Sequence, residues 1–495
     1  MSQTLGSQVA RGALVKLLGG VPVNILALVL TLIAARILVP SEYGTYTLAA
    51  AIYGLSDILT NPAVATYLIR NPDSTDHSIN AAWTASAVRG LFLSAILFFI
   101  APYLSSLFDG GPKVTLLLRI MSTAFIAQGL KNLHSVRFHQ RLEMTRVLLV
   151  DSLGTAVSSI LGIVLLYITR DVMALAVAAA GGPWLNALFS WVFSKRARFV
   201  WDTAEWGAIW RFTRFLLLNG LIHYALLNLD DLMVAKLSDK AALGLYSLSY
   251  AIVNAAVLFF VRPLADIMLP TLARLRDKPP RLAEACVAAV SVFAAASWAI
   301  TSYGWVLSDD LFNLLSDRSE WAQAAPVFRA LLPFVLIRGV NNALGALVLA
   351  AGQPRQLTLI SGVQLLLMIP IGLLGYVASG YLGLIIAITA LNGLAMLALT
   401  WLAPRLAPVS SVALLLTIFA PMPAALCSGF AVAWVTGYVH SPLGRVLLGL
   451  LAAVIVFTVT WELTCRTRVG ALKSAESFMS LLQRIRARRA GASSG

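Results

Sequence analysis

Fourteen long apolar runs follow one another along this chain, and they constrain its fold more than any other feature. Each run holds about 19 to 27 residues, enough for a helix to cross a hydrocarbon core about 30 Å thick. The period-2 alternation of a membrane β-barrel is absent, so the runs predict helices. The predicted spans are 14–38, 43–69, 82–104, 114–134, 147–168, 172–194, 212–236, 241–268, 285–308, 326–350, 357–378, 381–402, 411–437 and 442–464.

Composition excludes a soluble protein. Hydrophobic residues make up 59% of the 495 residues and charged residues only 12%, whereas soluble domains carry about 25% charged residues. No soluble core could bury this much apolar surface, so lipid must be the solvent. The chain is therefore predicted to be an all-α integral membrane protein with about 14 transmembrane helices.

The distribution of positive charge indicates how the spans are oriented. The net charge of +15 is carried by 37 Lys and Arg residues. With the amino terminus inside, 26 of them fall in inner connections or the C-terminal tail, seven in outer connections and four within spans. The positive-inside rule therefore predicts both termini in the cytoplasm. The basic excess reflects topology and lipid contact, not nucleic-acid binding.

The chain contains an internal repeat at an offset of 200 residues. The segment Ala35-Arg36-Ile37 … Gly44-Thr45-Tyr46-Thr47-Leu48 returns as Ala235-Lys236-Leu237 … Gly244-Leu245-Tyr246-Ser247-Leu248. Six spans separate the copies, so both face the same way, as in a parallel-repeat transporter. Chance similarity between apolar segments is the alternative.

The repeat and the charge pattern together predict the domain organisation. We expect two six-helix lobes, spans 1–6 in residues 1–200 and spans 7–12 in residues 201–405, followed by two extra C-terminal helices in residues 406–465. Residues 466–495 are expected to form a basic amphipathic helix on the cytoplasmic lipid surface. A disordered basic tail is the alternative for this last segment.

We assign four arginines to span interiors rather than to the connections, namely Arg89, Arg119, Arg329 and Arg338. A charged side chain at mid-membrane costs roughly 2.5–3.5 kcal/mol on insertion scales. The set therefore predicts a water-filled cavity with a cationic lining, and guanidinium groups suit a diphosphate. Asn342 shares a helix face with Arg338, and Pro333 is expected to bend that helix. Pairing of each arginine with an acid or a carbonyl is the alternative.

Polar residues in spans two and seven form a candidate ion-coupling site. Asn219, His223 and Asp230 share one face of span seven, and Asp57 and Asn61 lie together in span two. Carboxylate and imidazole groups can take up a proton, and a carboxylate can ligate sodium. A satisfied interhelical hydrogen bond is the alternative. Asp231 points about 100° away from this face, so we expect it near the outer surface instead.

The sequence offers no sign of enzymatic chemistry. A Walker A lysine, an H-E-x-x-H motif and a cysteine cluster are all absent, so we expect neither a metal site nor a cofactor beyond possible Na⁺ or H⁺ coupling. The connections between spans are too short for a catalytic domain. We therefore predict a protein that is not an enzyme.

Three segments resemble one known family. Residues 36–44, RILVPSEYG, resemble the segment after the first span of Wzx-type polysaccharide flippases. Residues 228–250 resemble the seventh and eighth spans of that family, and residues 263–274 the segment that follows. The resemblance is strongest to its WzxC-like branch, which serves exopolysaccharide and lipopolysaccharide synthesis. It implies a transporter of the multidrug/oligosaccharidyl-lipid/polysaccharide (MOP) superfamily.

The resemblance also implies a substrate and partners. Members of the family are taken to move undecaprenyl-diphosphate-linked oligosaccharide across the bacterial inner membrane by alternating access, beside a polymerase and glycosyltransferases. In related lipid II flippases, cavity arginines face the diphosphate and an acidic residue in span seven joins a cation site, which implies that role for Asp230. A cation-coupled multidrug exporter is the first alternative. A membrane glycosyltransferase or polymerase using the acidic connection near Asp309 is the second.

Overall fold

The structure is a computed structural model that describes residues 5–60, 64–71, 73–141, 143–315 and 319–466. Every regular element in these ranges is helical, as the apolar runs predict. The predicted tail helix lies almost wholly outside them, because the last described helix ends at Arg466. Packing divides the chain into two compact units, with the division between Leu248 and Ser249.

The first unit is built from long helices joined by short connections. Its α4–α5 and α8–α9 pairs pack most extensively, and α10 packs on α2 and α4. This packing places α10 in the first unit, although it follows the predicted repeat boundary at residue 200. The helices are α1 Leu5–Ile37, α2 Pro40–Thr60, α3 Val64–Arg70, α4 Asp76–Leu107, α5 Gly111–Leu130, α6 Val136–Gln140, α7 Met144–Asp151, α8 Leu153–Thr169, α9 Met173–Phe193, α10 Thr203–Leu237 and α11 Lys240–Ala256, which continues past the division.

The second unit contains a large apolar core formed mainly by α13 (Pro279–Leu315) and α15 (Pro333–Ala350). A π-helical turn at Val257–Val261 joins α11 to α12, and the predicted bend at Pro333 is confirmed by the break between α14 and α15. The helices are α12 Arg262–Arg274, α13 Pro279–Leu315, α14 Ala324–Leu331, α15 Pro333–Ala350, α16 Pro354–Leu402, α17 Ser411–Phe419, α18 Met422–Gly437 and α19 Pro442–Arg466.

Eleven described helical segments are long and apolar enough to cross a membrane. One of them, Pro354–Arg405, has 52 residues and is interrupted at Ser379 and Gly380. Gly380 has a φ of 63°, a left-handed conformation that glycine adopts without steric cost. The interruption lies between predicted spans 357–378 and 381–402, so it marks the turn between them.

Helices α2 and α10, the predicted spans two and seven, are not among the eleven. Their length is sufficient, since they have 21 and 35 residues. Their lower hydropathy has a direct cause in the sequence. Helix α10 carries Asp230, Asp231 and several basic residues, and α2 carries Glu42, Asp57 and many hydroxyl residues. These are the helices in which the sequence predicts the ion-coupling residues.

A polar cluster links several segments at the predicted cytoplasmic side of the first unit. The Asp76 carboxylate accepts a hydrogen bond from Arg137 at 2.5 Å and another from Lys195. The His134 ring nitrogen Nε2 lies 3.0 Å from Asn80 Oδ1. Burial lowers the pKa of this imidazole, and the neighbouring Asp76 opposes that shift. These residues come from segments that the charge pattern places at one membrane face, so their grouping agrees with the predicted topology.

A second polar cluster links two connections at the opposite end of the first unit. The Lys236 ammonium donates to the Leu107 carbonyl at 2.7 Å and lies 3.4 Å from the Asp109 carboxylate. The Lys240 ammonium donates to the Gly110 carbonyl at 2.8 Å. The α10–α11 connection thereby neutralises the carbonyl end of α4. All of these residues belong to connections that the sequence predicts on the outer side.

Candidate functional site

Two adjacent carboxylates are buried near the end of α10. Asp230 and Asp231 are 8% and 9% exposed, and they lie roughly 10 Å along the axis from the helix end. The Tyr246 hydroxyl on α11 donates to Asp230 Oδ2, and the Ser247 hydroxyl donates to Asp231 Oδ1 at 3.1 Å. The Asp231 backbone N–H also donates to Asp230 Oδ1 at 3.1 Å. We call these four residues the carboxylate site.

The carboxylate site has the chemistry of a proton or cation acceptor. Burying an ionised carboxylate costs free energy, and two neighbouring carboxylates also repel each other. Hydroxyl donors stabilise the anions without removing their charge. Uptake of one proton or one monovalent cation would remove a charge from the pair. Among the described residues, this site included, no group of three or more His, Cys, Asp or Glu side chains could hold a metal ion.

The structure gives Asp231 a partner that the sequence did not predict. We expected this residue near the outer surface, and its side chain is buried and accepts a hydrogen bond from Ser247. Sequence reasoning did not predict this burial, because helical periodicity describes one helix alone. The packing of α11 on α10 covers two successive positions rather than a single face.

The two copies of the repeat meet at a pair of glycines. Gly44 on α2 lies against the backbone of Lys240, and a Cβ atom at position 44 would overlap the Lys240 carbonyl oxygen. Reciprocally, a Cβ atom at Gly244 on α11 would overlap the Pro40 carbonyl oxygen. Only glycine allows backbones to approach this closely. This glycine contact joins equivalent positions of the two copies near the outer ends of α2 and α11.

Of the other residues predicted for ion coupling or the polar cavity in spans two and seven, the structure describes only the His223 side chain. His223 is an exposed residue of α10, two turns and about 10 Å along the helix from Asp230. The side chains of Asn219 and Asp57 are not among those the structure describes, and Asn61 lies outside the described residues. The shared helix face of Asn219, His223 and Asp230 therefore stays a prediction.

Two of the predicted cavity arginines lie in the first unit. Arg89 is a half-buried residue of α4. Arg119 on α5 places its guanidinium over the ring of Phe98, 4.8 Å from the ring centre, and its Nε lies 3.5 Å from the Phe98 carbonyl oxygen. Arg119 is half-buried as well, so burial does not distinguish the two arginines.

The other two arginines lie in the second unit. Arg329 forms an ion pair with Asp309 and donates to the Trp305 carbonyl at 3.3 Å. Arg338 lies over the Phe334 ring at 4.7 Å. Its guanidinium also lies 3.4 Å from the Tyr250 hydroxyl.

The predicted neighbour of Arg338 does not bind its guanidinium. Asn342 is exposed and donates to the Arg338 carbonyl at 2.8 Å. In this unit, therefore, Arg329 has a balancing carboxylate, whereas the described partners of Arg338 are aromatic side chains.

Sequence reasoning missed Tyr246 and Ser247 as functional neighbours. Both lie in the repeated segment, so the pattern that revealed the duplication also contained them. A signal was available, because a hydroxyl at two successive positions of the helix after Asp230 and Asp231 can serve two carboxylates. It could not be used without knowing the rotation of α11 about its axis.

A family model described as polysaccharide biosynthesis protein matches residues 33–326. This chain belongs to that family. It is 21% identical over 333 residues to the lipopolysaccharide biosynthesis protein WzxC of Escherichia coli, with 66% of each chain covered. It is 19% identical to the teichuronic acid biosynthesis protein TuaB of Bacillus subtilis over 58% of this chain and 59% of that protein. The chain thus spans just under two thirds of the length of these relatives.

Solved structures identify the fold of this family member. The lipid II flippase MurJ in an inward closed conformation superimposes with a TM-score of 0.75 and 12% identity, covering 91% of this chain and 99% of that one. An inward-facing multidrug resistance MATE transporter of the MOP superfamily superimposes with a TM-score of 0.58 and 15% identity, covering 80% and 98%. The chain is therefore a multi-pass membrane protein with the same fold as these two structures, which is the fold that the sequence resemblance implies.

Proposed function

We propose that this protein is a flippase that moves a polyprenyl-diphosphate-linked oligosaccharide across the bacterial inner membrane by alternating access. The observation that carries the proposal is the pairing of a polysaccharide biosynthesis family with a transporter fold. Relatives are named for lipopolysaccharide and teichuronic acid synthesis, and both kinds of polymer need sugar units outside the membrane. The described connections between helices leave no room for a catalytic domain.

The proposed topology has 14 membrane-spanning helices with both termini in the cytoplasm. Eleven candidates become twelve when the Pro354–Arg405 segment is divided at Gly380. Adding α2 and α10 brings the number to 14. The two polar clusters of the first unit support this arrangement, because each gathers segments assigned to a single membrane side.

We propose Arg338 as the candidate of the second unit to bind the substrate diphosphate, and Arg89 as the candidate of the first unit. Arg89 is half-buried within α4, and the described contacts of Arg338 are with aromatic groups, which leave its forked N–H groups suited to phosphate oxygens. Arg329 would contribute only if its ion pair with Asp309 opened. An inside-negative membrane potential favours outward movement of an anion by about 2.3 kcal/mol per charge per 100 mV.

We assign ion coupling to the carboxylate site. Proton or Na⁺ binding at Asp230 and Asp231 would change the charge of a buried pair that α10 and α11 hold together. Gly244, one half of the glycine contact, lies on α11 just before Tyr246 and Ser247, which hold the two carboxylates. The contact is on the predicted outer side. In our proposal, the ends of α2 and α11 separate there to release the sugar headgroup, and ion binding alters the stability of that contact.

A glycosyltransferase is less compatible with the structure. The acidic connection offers Asp309 and Asp310 as its only described candidate pair. Asp309 is bound to Arg329, and Asp310 lies 3.2 Å from Arg445. Carboxylates held in ion pairs are poorly placed to act as catalytic bases. The MATE likeness keeps a multidrug exporter as the alternative to be tested.

The proposal is tested by transport in reconstituted vesicles. A lipid-linked oligosaccharide is placed in one leaflet, and its appearance in the other is followed with wild type, Arg338→Gln and the exposed matched control Arg355→Gln. We expect movement that requires the protein, a loss of about tenfold or more with Arg338→Gln, and little change with Arg355→Gln. Export of cationic dyes without lipid movement would favour the multidrug exporter.

A further inference from the structure

A hollow lies at the outer end of the α4–α5 hairpin, away from the carboxylate site. Its volume is about 400 Å³. Helix α4 contributes Pro102, Ser105 and Ser106, and α5 contributes Thr115 and Arg119 to its lining. Arg119 lies two turns below the start of α5, about 12 Å along the helix axis. The hollow therefore leads from the predicted outer surface toward a cation within the membrane.

The surface around this hollow is apolar and exposed. Phe99 is 78% exposed, Tyr103 is 64% exposed and Leu116 is 48% exposed. In a membrane protein, an exposed aromatic and aliphatic surface is covered by lipid chains. The hollow thus opens toward the bilayer, where a lipid molecule can enter it.

Arg119 gives the hollow a positive charge. Its guanidinium stacks on Phe98, and among the described ion pairs it has no carboxylate partner. A cation within the membrane costs free energy, and a counter-charge beside it reduces that cost. A phosphate group supplies that charge and matches the planar fork of the guanidinium.

The hydroxyl groups of the lining favour a headgroup that donates hydrogen bonds. Ser105 already donates to the Gly111 carbonyl at 2.7 Å, Ser106 to the Tyr103 carbonyl at 2.8 Å and Thr115 to the Gly111 carbonyl at 3.5 Å. A hydroxyl has one proton to donate and two lone pairs to accept with. These three oxygens can therefore accept hydrogen bonds from a ligand.

We propose that this hollow binds the headgroup of phosphatidylglycerol. Its phosphodiester would carry one negative charge to the Arg119 guanidinium, and its glycerol hydroxyls would donate to the lining oxygens. The transported lipid carries a diphosphate and an oligosaccharide, a headgroup larger than this hollow, so it is the weaker candidate. The ammonium of phosphatidylethanolamine would approach Arg119 with the same sign of charge, which opposes its binding.

The test measures lipid binding rather than transport, so its outcome does not depend on the proposed flippase activity. The purified full-length protein is incubated with phosphatidylglycerol or with phosphatidylethanolamine of identical chains, and bound lipid is counted by native mass spectrometry. We expect wild type to retain phosphatidylglycerol preferentially and Arg119→Gln to bind it about tenfold more weakly. The control Lys113→Gln changes an exposed cation of the same helix and should bind as wild type does.

A hydroxyl variant and a competing lipid test which headgroup the hollow binds. Thr115→Val keeps the arginine but removes one acceptor, so it should reduce the preference for phosphatidylglycerol over phosphatidylethanolamine. Undecaprenyl diphosphate should not displace phosphatidylglycerol at equal concentration. Equal retention of phosphatidylglycerol by wild type and Arg119→Gln, no preference over phosphatidylethanolamine, or displacement by the diphosphate lipid would overturn the assignment.

Discussion

The two copies of the repeat have the same packing residues but different polar chemistry. Gly44 and Gly244 occupy equivalent positions and approach each other's backbone in the same way. Tyr46 and Tyr246 are also equivalent, yet only Tyr246 donates a hydrogen bond to a carboxylate. At the offset of 200, the counterparts of Asp230 and Asp231 are Leu30 and Thr31.

This difference separates what the duplication preserved from what it changed. The glycine contact requires the same residue in both copies, because each backbone fills the space that a side chain would need in the other. The carboxylate site exists only in the second copy. In the first copy, the Thr31 hydroxyl donates to the Ala27 carbonyl of its own helix at 3.1 Å. We infer that the shared residues join the copies and that the unshared ones respond to ions.

Substituting either repeat glycine should have the largest effect on stability. Gly44→Ala and Gly244→Ala each place a methyl group against a backbone carbonyl that cannot rotate away, so each should lower the free energy of unfolding by about 1–3 kcal/mol. Unfolding in mixed detergent micelles measures this change. Gly207→Ala is the matched helical control, because no atom lies within 4 Å of its added carbon. Similar stabilities for all three variants would contradict the close contact.

Removing the tyrosine hydroxyl should affect one copy and not the other. Tyr246→Phe takes a donor away from the buried Asp230 carboxylate, which should cost about 1.5–3 kcal/mol of stability. In the described residues the Tyr46 hydroxyl makes no hydrogen bond, so Tyr46→Phe should change stability by less than about 0.5 kcal/mol. The same unfolding measurement compares them. Equal losses of unfolding free energy in the two variants would contradict a role for the hydroxyl that is specific to the second copy.

The hydroxyl one residue later should show a smaller contrast. Ser247→Ala removes the donor to Asp231, and we expect a loss of about 1 kcal/mol. Thr47→Ala removes only a bond to the Tyr43 carbonyl within its own helix, 3.0 Å long, and should cost less. If Thr47→Ala proved the more destabilising, the polar difference between the copies would not reside at this position.

Much of the fold could be predicted from the sequence because lipid imposes long apolar helices. The turn at Gly380 lies between two predicted spans, and the bend at Pro333 follows from a proline that cannot continue the hydrogen-bonding pattern. The π-helical turn at Val257–Val261 was not predicted. Apolar runs determine where a helix crosses the membrane, but they do not reveal a local change in helical hydrogen bonding.

The candidate site was predicted less completely. A carboxylate in a membrane span costs free energy, so Asp230 could be found from its position within an apolar run. The burial of Asp231 was not predicted, and Tyr246 and Ser247 were missed, because these features depend on how α11 is rotated against α10. The arginines show the same limit: sequence position selected four, but Arg329 proved to have a carboxylate partner while Arg119 stacks on an exposed phenylalanine.

The central claim is that the carboxylates of the second copy couple transport to an ion. The most direct measurement is lipid-linked oligosaccharide movement in vesicles under an imposed proton or Na⁺ gradient, with wild type, Asp230→Asn and Asp239→Asn. Asp239 is an exposed acid of the α10–α11 connection whose carboxylate accepts from the Ala242 N–H, and asparagine preserves that acceptor. We predict that a gradient of one ion accelerates wild type and Asp239→Asn, whereas Asp230→Asn loses about tenfold of that acceleration, or ~1.4 kcal/mol. Unchanged gradient dependence in Asp230→Asn would contradict the account.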